Sequence, residues 1–107
     1  KQTRSFCYVD DLIDGIEKMI FSDENMPVNI GNPDEFTIIE LANLINEILK
    51  NPAENIYQVG KVAGDDPLRR QPDIVRARKI LGWDPKVDLR SGLLKTIPFF
   101  KDKMGIA

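Results

Sequence analysis

"SFCYVDDLIDGIEKMIFS", residues 5–22, changes its hydrophobic period partway along. Over Ser5–Val9 the β-branched and aromatic residues read as a strand, with Arg4, Phe6 and Tyr8 on one face and Cys7 and Val9 on the other. From Asp10 onward Leu12, Ile13, Ile16, Met19 and Ile20 recur at helical spacing and form one apolar stripe. Asp10 or Asp11 is the natural N-cap, because a short side-chain oxygen accepts the amides that a first helical turn leaves over. Negative charge is also favoured there by the helix dipole. The aspartate pair therefore reads as a helix start and not as a paired-carboxylate acid/base site. A strand running straight into an amphipathic helix sets the frame for the rest of the chain.

Outward from that stretch the alternation continues. "PVNIGN" (27–32) is a predicted strand closed by the turn cluster Gly31-Asn32-Pro33. "TIIELANLINEILK" (37–50) is a helix whose Thr37 and Glu40 form a capping box. Its apolar face carries Ile38, Leu41, Ile45 and Ile48, widened by Leu44 and Leu49, and Asn51-Pro52 ends it. "NIYQVG" (55–60) reads as a further strand. Asp73 caps a short helix with Ile74, Ala77, Ile80 and Leu81 inward, and Gly82 stops it. Trp83 after that glycine reads as a core anchor. A last helix runs from about Leu89 to Met104 with Asp88 as its cap, and Pro98 should kink or split it. Strand, helix, strand, helix, strand, helix, helix is an α/β or α+β order.

The chain has 107 residues, 42% hydrophobic and 30% charged, with a net charge of −2. A chain of this size buries about two thirds of its unfolded surface, enough for one modest core. The balance argues against nucleic acid or an anionic membrane as partner. With no histidine and one cysteine, Cys7, the sequence offers no structural zinc site and no internal disulfide. Cys7 is read as packing, in a reducing compartment. There is no Gly-x-Gly-x-x-Gly loop, and the lone glycine of "NIGN" is too little for a phosphate turn. The chain opens at Lys1 and reads as a piece of a longer protein.

The basic residues Arg69 and Arg70 stand between Pro67 and Pro72. A guanidinium presents a planar fork that matches phosphate or carboxylate oxygens in pairs. The flanking prolines lower the entropy lost when such a loop closes on a ligand. The plainer alternative pairs both arginines with Asp65 and Asp66. Arg4, beside Phe6 and Tyr8, suits either a phosphate next to a stacked base or a cation resting on a ring.

Three segments, "QTRSFCYVDDLIDGI", "PVNIGNPDEFTIIELANLI" and "DDPLRRQPDIVRARKILGWDPKVDLRSGLLKTI", resemble in this order the C-terminal third of the extended short-chain dehydrogenase/reductase family of nucleotide-sugar enzymes. The resemblance is to its UDP-glucuronate decarboxylase (UDP-xylose synthase) branch in particular. It implies an α/β fold in which residues 1–107 form the C-terminal UDP-sugar-binding part, with one strand and helix belonging to an NAD-binding Rossmann domain. The glycine-rich loop and the Tyr-x-x-x-Lys pair of that family would lie upstream of Lys1. NAD is thus an implied cofactor, with no cofactor-binding residue assigned here and no metal.

Residue by residue, the resemblance implies substrate-binding roles for Arg4, Tyr8, Arg69 and Arg70. It also implies that Arg70 assists catalysis near the sugar. The whole enzyme would convert UDP-glucuronate to UDP-xylose and CO2 through a 4-keto intermediate, acting as a lyase. The resemblance also implies a homodimeric full-length enzyme and a cytoplasmic location, with the lumen of the Golgi or endoplasmic reticulum as the alternative. Pro98 departs from the family pattern. The alternatives are a nucleotide-sugar 4,6-dehydratase or 4-epimerase, or a non-catalytic reductase-like scaffold.

Overall fold

The computed structural model describes residues 2–50 and 68–105. The expected strand at 55–60 and the Asp65-Asp66-Pro67 lead-in lie outside the described residues. The elements run β1 (Thr3–Ser5), α1 (Val9–Ile20), β2 (Glu35–Thr37), α2 (Ile38–Leu49), a π-helical turn (Ala77–Leu81) and α3 (Leu89–Met104). The mixed helix and strand content is the expected one.

β1 and β2 pair antiparallel, with Thr3 opposite Thr37, Arg4 opposite Phe36 and Ser5 opposite Glu35. This corrects the first strand, expected at 5–9. β2 cannot extend further towards its own start, because Asn32 Oδ1 accepts the Asp34 amide at 3.0 Å and turns the chain there. Phe6 onward is therefore left without a ladder partner, and by Val9 the backbone is helical. The run 27–32 is also not a strand. No strand among the described residues lies beside it, although Val28 and Ile30 still pack on the core.

The core is small: Trp83, Ile74 and Ala77 are buried, with Val28, Ile30 and Leu81 against them. Gly82 ends the π-helical turn in the left-handed region at φ 62°, which brings Trp83 back over Ala77. Ile80, expected inward, is 41% exposed. The wider π-turn moves it off the buried side that Ile74 and Ala77 share.

α1 meets this core through an unexpected face. Its N-cap is Tyr8, with no side-chain cap bond, and its buried residues are Asp11 and Gly15. The Asp11 carbonyl accepts the Trp83 indole N–H at 3.0 Å. Its carboxylate oxygen Oδ2 accepts the amides of Lys86 at 3.1 Å and Val87 at 2.9 Å. Asp11 thus organises the 83–87 segment instead of capping its own helix. One turn on, Gly15 lets the helix backbone sit against Ile30 and Trp83. The apolar stripe exists but points elsewhere, with Ile13, Ile16 and Ile20 exposed.

α2 follows the sequence closely. Glu40 N–H donates to Thr37 Oγ1 at 3.0 Å, and Thr37 N–H donates to Glu40 Oε1 at 2.7 Å, completing the capping box. In α3 the Ser91 amide donates to Asp88 Oδ1 at 2.7 Å, which holds the Asp88 carboxyl below its usual range. Pro98 does not split α3, which runs uninterrupted from Leu89 to Met104. It does remove the amide that would otherwise bond the Leu94 carbonyl. No helix among the described residues is long and apolar enough to cross a membrane.

A Cβ on Gly15 would stand 2.7 Å from Ile30 Cγ2 and 3.2 Å from Trp83 Cε2. Alanine is favoured over glycine inside a helix by about 1 kcal/mol. Overpacking a tight contact costs about 1–3 kcal/mol, so the contact prevails. Gly15→Ala is expected to lower the thermal midpoint, and adding Ile30→Ala, which removes Cγ2, is expected to lower it by less than the two changes summed. A higher midpoint in Gly15→Ala would contradict this packing.

Candidate functional site

Loop 68–72 carries the arginine pair and is sewn to two neighbours. On the β1 side, the Thr3 amide donates to the Leu68 carbonyl at 2.8 Å. The Ser5 hydroxyl donates more weakly to the Arg70 carbonyl at 3.4 Å. On the other side, Gln71 Nε2 donates to the Pro33 carbonyl at 2.8 Å. The Pro72 ring lies against Gly31, where a Cβ would come within 3.1 Å of it. Asn29 Nδ2 reaches the Asp73 carbonyl at 3.2 Å just beyond.

Between β1, the 29–32 run and this loop lies a cavity of about 410 Å³ whose polar lining includes Arg4, Ser5, Asn29, Asn32 and Arg70. Two permanently charged arginines line this space, and none of the described residues lining it is a carboxylate. A concave site with this charge favours an anion with oxygens for both forks. Arg4 Nη1 also donates to its neighbour's carbonyl, Thr3 O, at 2.7 Å, which steadies the side chain at the strand.

The other arginines of the basic segment are engaged elsewhere. Arg76 pairs with Glu24 at 3.0 Å and Arg78 with Asp84 at 2.6 Å. Arg69 is not among the residues lining the cavity. Its guanidinium forks onto Glu35, with Nε 3.1 Å from Oε2 and Nη2 on Oε1. Glu35 Oε2 also accepts the Thr3 hydroxyl at 2.8 Å. Arg70 has no carboxylate partner among the described residues.

Tyr8 stands apart from Arg4. It lines a second, apolar cavity of about 220 Å³ with Phe6, Leu41, Ile45, Gly92 and Leu93. The Lys95 ammonium sits over its ring, 5.4 Å from the centroid. The shared face expected for Arg4, Phe6 and Tyr8 required a strand reaching Tyr8, and β1 stops at Ser5. Cys7 borders both cavities. Burial pushes its thiol up, and the Asp11 charge adds to that, which keeps it a neutral packing group.

Sequence reasoning missed Glu35. Its partner Arg69 is 34 positions away, and a carboxylate flanked by Asp34 gives no local sign of so distant a contact. The antiparallel register was the signal needed, and β2 was not foreseen.

No protein-family model matches the chain. Its sequence is 47% identical over 105 residues to UDP-glucuronic acid decarboxylase 5 of Arabidopsis thaliana, covering 98% of this chain and 30% of that protein. An epimerase from the methanogen Methanothermobacter thermautotrophicus superposes with a TM-score of 0.87 at 31% identity, covering 97% of this chain and 31% of the other. A UDP-glucuronic acid 4-epimerase from Bacillus cereus, solved with UDP-glucuronic acid and NAD, superposes with a TM-score of 0.82 at 27% identity, covering 95% of this chain and 33% of the other. The chain spans about 30% of the length of the curated relative. Its homologues are thus UDP-glucuronic acid decarboxylases, and its fold is found as one part of NAD-dependent UDP-sugar enzymes.

The Arg69 fork, then the Thr3 hydroxyl, hold the Glu35 carboxyl below its usual range. A carboxyl lowered by folding stabilises the protein above its unfolded value, and that contribution disappears as pH falls through the folded value. Denaturant midpoints of the parent and Glu35→Gln are therefore expected to differ only slightly near neutral pH, as suits an exposed pair, and that small difference is expected to vanish on acidification below the ordinary glutamate range. A difference that persists unchanged at low pH would contradict the ion pair.

Proposed function

We propose that residues 1–107 are the C-terminal nucleotide-sugar-binding part of an NAD-dependent enzyme that converts UDP-glucuronate to UDP-xylose and CO2. The observation that carries this reading is the cavity that Arg4 and Arg70 line together with the side-chain amides of Asn29 and Asn32, four groups that can donate hydrogen bonds to an anionic ligand. The relative's decarboxylase name and the UDP-glucuronic acid bound in a structural neighbour support the substrate class. UDP-glucuronate carries a diphosphate and a carboxylate, and each suits a guanidinium fork.

In this reading Arg4 and Arg70 hold and orient the anionic substrate. A β-keto carboxylate loses CO2 as the electron pair of the breaking C–C bond moves into an enolate. A fixed cation near the sugar stabilises that developing charge without having to reorganise. NAD, when bound, supplies the hydride acceptor and donor of the 4-keto chemistry. No residue of this chain is assigned to it. Gly31, in the segment nearest to a glycine turn, is covered by Pro72 and offers no phosphate cradle. Tyr8 and Arg69, taken from the resemblance as substrate ligands, are left out of the anion clamp because neither lines the cavity. A homodimer in the cytoplasm, or in the Golgi or endoplasmic reticulum lumen, belongs to the same proposal and rests on the resemblance alone.

The structural neighbours include epimerases, so 4-epimerisation of a UDP-sugar is the second reading. Product analysis after incubating the full-length enzyme with UDP-glucuronate and NAD separates the two, since only decarboxylation releases CO2. Arg70→Ala is expected to reduce kcat/KM by about 100-fold or more, the scale of losing a fixed charge-stabilising donor. Arg78→Ala, which breaks a surface pair with Asp84, is expected to change it by no more than about twofold. Equal kinetics for the two variants would defeat the assignment.

A further inference from the structure

We propose that Arg69 and Glu35 are positioning residues whose bidentate pair, completed by Thr3, holds the loop so that Arg70 faces Arg4 across the cavity. The inference deepens, and rests on, the reading of Arg4 and Arg70 as an anion clamp. It begins from the hairpin register. With Thr3 opposite Thr37 and Ser5 opposite Glu35, Thr3 and Glu35 share one face of the two strands, and Arg4 takes the other. The Thr3 hydroxyl reaches Glu35 Oε2 at 2.8 Å on that face. Arg69 closes on the same carboxylate through two nitrogens. The next residue in the chain, Arg70, lines the cavity with Arg4.

Glu35 is the anchor of this arrangement and Arg69 the exposed arm: their side chains are 14% and 72% exposed. An ion pair this open to water adds little to global stability. A two-point fork does fix direction, however, because both N–H bonds must align at once. The loop's other ties to β1 are one amide bond from Thr3 at 2.8 Å and the weaker Ser5 hydroxyl contact at 3.4 Å. Neither restrains rotation of the segment about β1 as a fork does. Lowering of the Glu35 carboxyl and raising of the Arg69 guanidinium are the electrostatic counterpart of the same contact.

The test uses the full-length enzyme with NAD and UDP-glucuronate, and compares Glu35→Gln, Arg69→Gln and Arg69→Lys in wild-type and Arg70→Ala backgrounds. In the wild-type background Glu35→Gln and Arg69→Gln are each expected to lower kcat/KM about tenfold, chiefly through KM, with near-native thermal midpoints. Arg69→Lys keeps the charge, loses the fork and should recover only part. In the Arg70→Ala background the same changes should cost less than about twofold, since a residue acting through Arg70 has nothing left to position. Losses of equal size in both backgrounds would overturn the proposal by making the pair a general structural contact. Full activity of Glu35→Gln together with a damaged Arg70→Ala would also overturn it, while leaving the anion clamp intact. An undamaged Arg70→Ala would instead remove the clamp itself. Should Glu35→Gln lose its fold, Arg69→Lys supplies the same comparison with the charge retained.

Discussion

Asp11 holds the two halves of the described chain together. Its carbonyl takes the indole N–H of a Trp83 that is 1% exposed, and its carboxylate takes two backbone amides beyond that tryptophan. A buried donor left unmet costs about 1–3 kcal/mol, which applies to the Trp83 indole N–H, and the two amide bonds beyond it fix the course of the return from the π-helical turn. The direction of α3 follows, because Asp88, its cap, comes one residue after Val87. The position of Ile30 follows as well, since Gly15 and Trp83 enclose it. Ile30 belongs to the run that walls the cavity lined by Arg4 and Arg70, so that cavity inherits its shape from a hydrogen-bond junction some way behind it.

The site itself is made by subtraction. The sequence shows a cluster of like charges, and a cluster of that kind is usually a solvated face. The fold assigns Arg69, Arg76 and Arg78 to carboxylates drawn from three different segments. Of the four arginines, Arg70 is the one with no carboxylate partner among the described residues, and it lines one cavity with Arg4, more than sixty positions earlier in the chain. In a chain with a net charge of −2, two arginines thereby come to line one recess. The basic segment does not give a uniformly basic face because three of its arginines are paired with carboxylates.

Legibility in the sequence divided along physical lines. Features set by neighbours three or four positions apart were readable: the Thr37–Glu40 box, the Asp88 cap, the Gly82 stop and the burial of Trp83. The strands were not, since a strand exists only where another chain segment meets it. β1 came out shorter and earlier than its β-branched pattern suggested, the 27–32 run found no ladder among the described residues, and β2 went unseen. Side-chain roles followed the same rule. Arg70 was singled out by the prolines and the family resemblance. Glu35 and Asp11 act over long sequence separations, and only the folded register reveals them. Tyr8 was grouped with Arg4 by a strand alternation that ends before it.

Pro98 has an effect on motion that its quiet place inside α3 conceals. The helix axis continues, yet the Leu94 carbonyl has no helical amide to bond, so the ladder of hydrogen bonds is weakest in mid-helix. The first half is pinned by Gly92, seated against Tyr8 and Val87. The second half carries Phe99, Phe100 and Met104, all largely open to water. Local opening free energies track such differences in anchoring. Amide protons after the proline should therefore exchange with solvent on a shorter clock than those before it, making a single rod of sixteen residues behave as two cooperative units in time.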